Sequence, residues 1–208
     1  MGVRTCANGD VELAYETIGT SGEPLLLLAP MGNESRLMFH EDFCAALVEA
    51  GFLVARFDNR DGGLSTHLAQ GATYSLRDMA GDALAVLDAL GWSSAHLFGV
   101  SLGGIIGQTC AVHNADRVRT LTTVATSPST GWLVARPKLG TLPKILLLGK
   151  PADTSPEALG DYAVKLAKIT GSTTYPIDEA WIRRIAGIYP ADPAAALRHM
   201  AAFRSSGD

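Results

Sequence analysis

The chain has 208 residues, 47% hydrophobic, 18% charged and 7% aromatic, which suits one globular domain with room for part of a second. Seventeen Lys and Arg against 21 Asp and Glu give a net charge of -4, so no basic field exists to draw in nucleic acid or an anionic membrane. The longest strictly apolar runs, Leu25 to Ala29 and Ile145 to Leu148, are far short of the ~20 residues a membrane helix requires. No basic stretch followed by an apolar run opens the chain, and Cys6 stands where myristoylation favours Ser or Thr, so a soluble, cytoplasmic protein is the expectation. Cys6, Cys44 and Cys110 are far apart, form no Cys-x-x-Cys pair and have no histidine at ligand spacing; they read as small core residues, with no metal.

Val11, Leu13, Tyr15 and Thr17 alternate with Glu12, Ala14 and Glu16, the pattern of a half-buried strand, and Asn8-Gly9 offers a hairpin turn to a short strand around Val3 to Cys6. Leu25 to Ala29 is bracketed by Pro24 and Pro30, too short for a core helix, and reads as a strand buried on both faces, hence part of a parallel sheet. Glu41 to Ala50 carries Phe43, Ala46, Leu47 and Ala50 on one helical face and stops at Gly51, before an apolar strand at Phe52 to Phe57. Ser75, with Asp78 three residues on, caps a helix whose apolar positions run from Met79 to Leu90 and end at Gly91. A strand at Ala95 to Val100, a helix at Gly103 to Val112 and a strand at Arg119 to Ala125 follow. The alternation predicts a doubly wound, mostly parallel α/β core over residues 1–126.

Eight of the ten prolines lie after Ser127, among short amphipathic stretches such as Pro156 to Ile169 and Asp178 to Ile188. Residues 127–208 are therefore expected to form a helical cap, or lid, over a sheet edge rather than a second self-sufficient core.

Phe98 to Gly104 joins an apolar strand to a helix and contains Gly-x-Ser-x-Gly, centred on Ser101. A sharp strand-to-helix turn strains the serine backbone, and glycines two before and two after it let strand and helix approach without a Cβ clash. Ser101 is then exposed at the carboxyl edge of the sheet, and the Leu102 N–H points where an oxyanion would form. A second donor is expected from the loop after Leu25 to Ala29, where Gly32 is the candidate because its backbone can approach a substrate closely. The competing reading is a glycine-rich turn with an idle serine, and for Gly32 a simple turn residue.

These residues resemble α/β-hydrolases, and within them the esterase group that includes the anthracycline methyl esterases. The likeness rests on Gly9 to Leu13, on Met31 to Ser35 with Phe57 to Ser65, and on the turn at Ser101, together spanning about the first 125 residues. It implies that Ser101 is a nucleophile, that the Leu102 and Gly32 N–H groups form an oxyanion hole, that Asp58 and Arg60 brace a loop, and that the substrate is a small-molecule ester with no cofactor.

The resemblance also implies an acid and then a histidine after the serine, because a neutral hydroxyl is a poor nucleophile without an oriented base. In family order these would follow the passage Ala201 to Asp208, so the core reads as incomplete at its C-terminal side. The alternative partners within the chain are Asp153, after the segment Leu142-Pro143-Lys144-Ile145-Leu146-Leu147-Leu148-Gly149 that mimics an acid-bearing strand, and His199, which lies in a helical composition. Thr126 and Ser127 occupy the other position where an acid could stand; His40, His67, His96 and His113 read as structural or solvent-facing. Two functions remain: a serine esterase acting through an acyl-Ser101 intermediate, or a non-catalytic binding protein on the same fold. An open parallel edge predicts association, as a homodimer or with a fragment that completes the sheet.

Overall fold

The structure, a computed structural model, describes residues 2–32, 35–127, 140–189 and 193–204. Strands β1 (Arg4–Asn8) and β2 (Val11–Ile18) form an antiparallel hairpin in which Asn8 faces Val11, and Gly9 takes the left-handed φ of 59° that the tight turn requires. Strand β3 (Glu23–Leu28) is buried on both faces, as its unbroken leucines dictate. Helix α1 (Glu41–Glu49) starts at His40, whose ring accepts the Asp42 N–H, and leads to β4 (Phe52–Phe57).

Helix α2 (Leu76–Ala89) opens with a reciprocal capping box: the Ser75 hydroxyl takes the Asp78 N–H while the Asp78 carboxylate takes the Ser75 N–H. Strand β5 (Ala95–Val100), helix α3 (Leu102–His113) and strand β6 (Val118–Val124) complete the alternation.

The six strands are ordered β1-β2-β4-β3-β5-β6, antiparallel at β1/β2 and β2/β4 and parallel from β4 onward. The doubly wound, mostly parallel α/β core anticipated from the sequence is the architecture observed. Period-two burial divides the strand residues between two cores: Leu26, Leu28, Ala55 and Phe57 join Met79, Val86 and Ile106 of α2 and α3, while Leu25, Leu27 and Val54 join Phe39 and Cys44 beside α1. Cys44 and Cys110 are core residues as expected, and burial pushes the Cys110 thiol up to about 12.

Two compact units emerge, 1–130 with 192–208, and 131–191. The second contains α4 (Thr141–Leu148), α5 (Pro156–Thr170) and α6 (Glu179–Ala186), with α5 and α6 joined by Lys168–Glu179 and Arg183–Asp161 ion pairs. Residues 142–148, which mimic a strand in sequence, are helical. Pro143 falls in the first turn of α4, where its missing N–H costs no intrahelical bond. Helix α7 (Pro193–Arg204), expected with the cap segment, instead groups with the sheet unit. Arg198 holds the fully buried Asp61 with two bonds of 2.7 Å, and Ala202 enters the core containing Leu76 and Leu102. Among the described residues no helix is long and apolar enough to cross a membrane.

Candidate active site

Parallel pairing of β3 with β5, in the register Leu28 to Gly99, brings the carboxyl ends of both strands to the same edge of the sheet. At that edge β5 turns directly into α3, and Ser101 is the single residue between them, with φ 52° and ψ -115°. An L-residue avoids this region unless its surroundings hold it there. A Cβ on Gly99 would collide with the Gly103 backbone, and one on Gly103 with the Leu28 carbonyl, so both glycines are dictated by backbone contact.

Ser101 occupies the N-cap position of α3, where a serine hydroxyl ordinarily accepts an amide of the first turn. Here it makes no such bond, and Ser101 stays half-buried at the sheet edge. Leu102 is the first residue of α3, so its N–H has no intrahelical acceptor. Gly32 lies in the loop after β3, at the same edge, with φ 149°. Its neighbours Asn33 and Glu34 fall outside the described residues.

The loop carrying Gly32 is braced from below. Asn59 Nδ2 donates to the Ala29 and Pro30 carbonyls, each at 3.4 Å, and the Asn59 N–H donates to Ser35 Oγ at 2.7 Å. Asp58 is fully buried and accepts from the Arg36 amide, the Arg36 guanidinium and the Leu64 amide. Burial raises its carboxyl above the usual range, against the pull of Arg36. Arg60 makes a bidentate pair with Asp82, at 2.6 and 2.7 Å. Asp58 is thus tied to Arg36 and Leu64, and Arg60 to Asp82 of α2.

His199 is 1% exposed, and its Nε2 lies 2.8 Å from the Arg60 carbonyl oxygen, the geometry of a ring N–H donor; Nδ1 has no partner among the described residues. A triad base must offer one ring nitrogen to the serine and the other to an acid. His199 is engaged with main chain instead and makes no hydrogen bond to Ser101 among the described residues. Asp153 belongs to the other unit, is exposed, and accepts the Ser155 N–H at 2.8 Å; these bonds with Ser155 hold its carboxyl below the usual range. Each alternative partner therefore has a local structural occupation.

His40 caps α1, His67 approaches the Gly63 carbonyl, His96 meets Thr120 Oγ1 at 2.8 Å, and His113 ends α3. The sequence marks Thr126 only as a position without an acid. Its hydroxyl donates to the Ser101 carbonyl at 2.7 Å, and the local clue was a second glycine, Gly104, beside the one the turn itself requires.

Comparison with known proteins bears on the family and the fold. The profile of the alpha/beta hydrolase fold family matches residues 24–165. The rhodomycin D methylesterase DnrP of Streptomyces peucetius is 40% identical over 125 residues, covering 59% of this chain and 41% of that protein. The rhodomycin D methylesterase DauP of Streptomyces sp. (strain C5) is 32% identical over 201 residues, covering 88% of this chain and 67% of its own length. The chain thus spans less than half of DnrP and about two thirds of DauP. Among solved structures, an enol-lactonase from Burkholderia xenovorans LB400 superposes with a TM-score of 0.70 at 22% identity, over 97% of this chain and 74% of that one. A hydrolase from Pseudomonas aeruginosa PA01 gives 0.67 at 25% identity, over 98% and 72%. Both likenesses concern the fold.

Proposed function

The chain belongs to the alpha/beta hydrolase fold family, and we propose that within it the protein is a serine hydrolase of carboxylic esters, acting through an acyl-Ser101 intermediate. The observation that carries this reading is the strained Ser101 between β5 and α3, with its hydroxyl unused by the helix it caps. Strain of this kind persists where the fold over-determines it, and it leaves Oγ available for attack.

In the proposed reaction Ser101 Oγ adds to the ester carbonyl carbon and its proton passes to a general base. The carbonyl oxygen becomes an oxyanion received by the Leu102 and Gly32 N–H groups. Collapse releases the alcohol, which takes up the proton, and water then cleaves the acyl-serine to give the acid and restore Ser101. Preorganised amides contribute because they already point where charge develops; losing one such donor typically costs about 10²–10³ in rate. The acyl-serine route requires water as its only second reactant.

The base and the acid that orients it are proposed to come from a segment that adds beside β6. This strand is bonded to β5 on one side and is exposed along most of its length. Without that base, the oxyanion donors and substrate binding alone would leave residual catalysis of about 10³–10⁴ over water. A methyl or short-chain ester is the proposed substrate class, supported by the two relatives named as methylesterases.

Hydrolysis of p-nitrophenyl butyrate above the imidazole background, by the purified chain supplied with imidazole as an external base and beside Ser101→Ala under the same conditions, tests the reading. Turnover that disappears in the variant supports it. Equal rates in both would overturn it and favour the non-catalytic binding protein.

A further inference from the structure

Two residues with left-handed backbone meet at this edge of the sheet: Ser101, with φ 52°, and Ala125, with φ 51°, at the end of β6. Both ends of Ser101 are tied to the residues flanking Ala125. The Ser101 N–H donates to the Val124 carbonyl at 2.9 Å, and the Thr126 hydroxyl donates to the Ser101 carbonyl at 2.7 Å. The left-handed turn at Ala125 takes the chain out of the extended path of β6 and brings Val124 and Thr126 onto one neighbour.

A second set of contacts holds the clamp in place. A Cβ at Gly104 would stand 2.7 Å from Thr126 Cγ2 and 2.9 Å from its Oγ1, so the bare glycine is what admits the threonine side chain. One turn further along α3, Gln108 Nε2 donates to the Ser127 carbonyl at 3.1 Å. The Ser101 carbonyl also accepts the Gly104 and Ile105 amides, at 3.0 and 3.3 Å, as the start of the helix. Those bonds run along α3; among the described residues, the Thr126 bond is the one that reaches the Ser101 carbonyl from outside α3.

We propose that Thr126 is a positioning residue for the nucleophile, its hydroxyl and the Ala125 turn fixing the Ser101 peptide in its strained conformation and so aiming Oγ. The inference rests on Ser101 being the nucleophile. Thr126 does not touch substrate; it acts through the Ser101 carbonyl. Reaction at a held nucleophile is sensitive to ångström-scale displacement, of the order of 10²-fold per ångström, so loss of one of the two ties is expected to slow the chemical step about tenfold.

The test compares covalent labelling by an alkyl fluorophosphonate in the full chain, Thr126→Val and Thr126→Ser, each supplied with imidazole as an external base. The expected result is a limiting labelling rate about tenfold lower in Thr126→Val, with the half-saturating probe concentration unchanged, and recovery in Thr126→Ser, which keeps the hydroxyl. A merely structural threonine would lower thermal stability while folded protein kept the parental labelling rate, and that result overturns the proposal. A second readout stands apart from labelling: the Ser101 amide should exchange with deuterium at least tenfold faster in Thr126→Val at unchanged global stability. If the parent chain fails to label at Ser101, the nucleophile assignment falls, and parental amide protection in Thr126→Val overturns the clamp itself.

Discussion

Gly103 in α3 lies against the Leu28 carbonyl of β3 with no space for a Cβ between them. Helix and sheet touch backbone to backbone directly beneath Ser101, and this contact sets the depth at which α3 begins. Gly103→Ala must push α3 away from β3 or displace Leu28, and overpacking at a rigid backbone contact is expected to cost about 3 kcal/mol or more. Urea denaturation measures it; a midpoint equal to that of the parent would refute the contact.

Arg198 and Asp61 make a second firm prediction. The Asp61 carboxylate is fully buried and takes two guanidinium bonds, so Arg198→Ala leaves a charge without its main partner, at a cost of about 3–5 kcal/mol. The double variant Arg198→Ala with Asp61→Asn should recover part of that loss. Unfolding midpoints for the three proteins check the order.

The buried His199 predicts a pH dependence. Burial, the largest influence, lowers its pKa below the unfolded value near 6.5, with Arg198 and Arg60 acting in the same direction and the Arg60 carbonyl and Asp61 opposing. Above pH ~6.5 the ring is neutral in both states and its contribution is fully present. As the pH falls below that value the unfolded chain takes up a proton the folded chain resists, so stability declines through the folded pKa. Asp58, raised by burial, contributes in the opposite direction at lower pH, so the informative quantity is the difference between the parent and His199→Gln. Urea midpoints between pH 7.5 and 5.5 should fall more steeply in the parent; parallel curves would contradict this assignment.

Ala125→Gly should stabilise the protein. A left-handed L-residue costs about 1–2 kcal/mol, and the extra freedom of glycine in the unfolded chain returns about 0.5–1 of that, leaving a net gain of about 0.5–1 kcal/mol. Calorimetric melting should rise by a few degrees; a lower melting temperature would show that the Ala125 methyl has a packing role.

Much of this was legible in local sequence because the signals are local. Ser75 and Asp78 announce their capping box at a spacing of three, and the leucines after Pro24 announce a strand buried on both faces. The turn at Ser101 could be read from its two glycines because backbone contact permits nothing else there. What local pattern could not supply was long-range pairing. Arg198 finds Asp61 across 137 positions, so a helix that reads as part of a cap groups with the unit that contains the sheet. Leu142 to Leu148 is apolar except for Lys144 and carries no period, which leaves strand and helix undistinguished until the place of Pro143 in the first turn is seen. Thr126 carried no motif at all, since its partner is a main-chain carbonyl on another element.

Peptide-resolved mass spectrometry of the chain after exposure to an alkyl fluorophosphonate with imidazole as an external base addresses the central claim most directly. The account predicts a single phosphonyl adduct on the peptide containing Ser101, lost in Ser101→Ala. An unmodified Ser101 peptide, or an adduct elsewhere that survives the substitution, would contradict it.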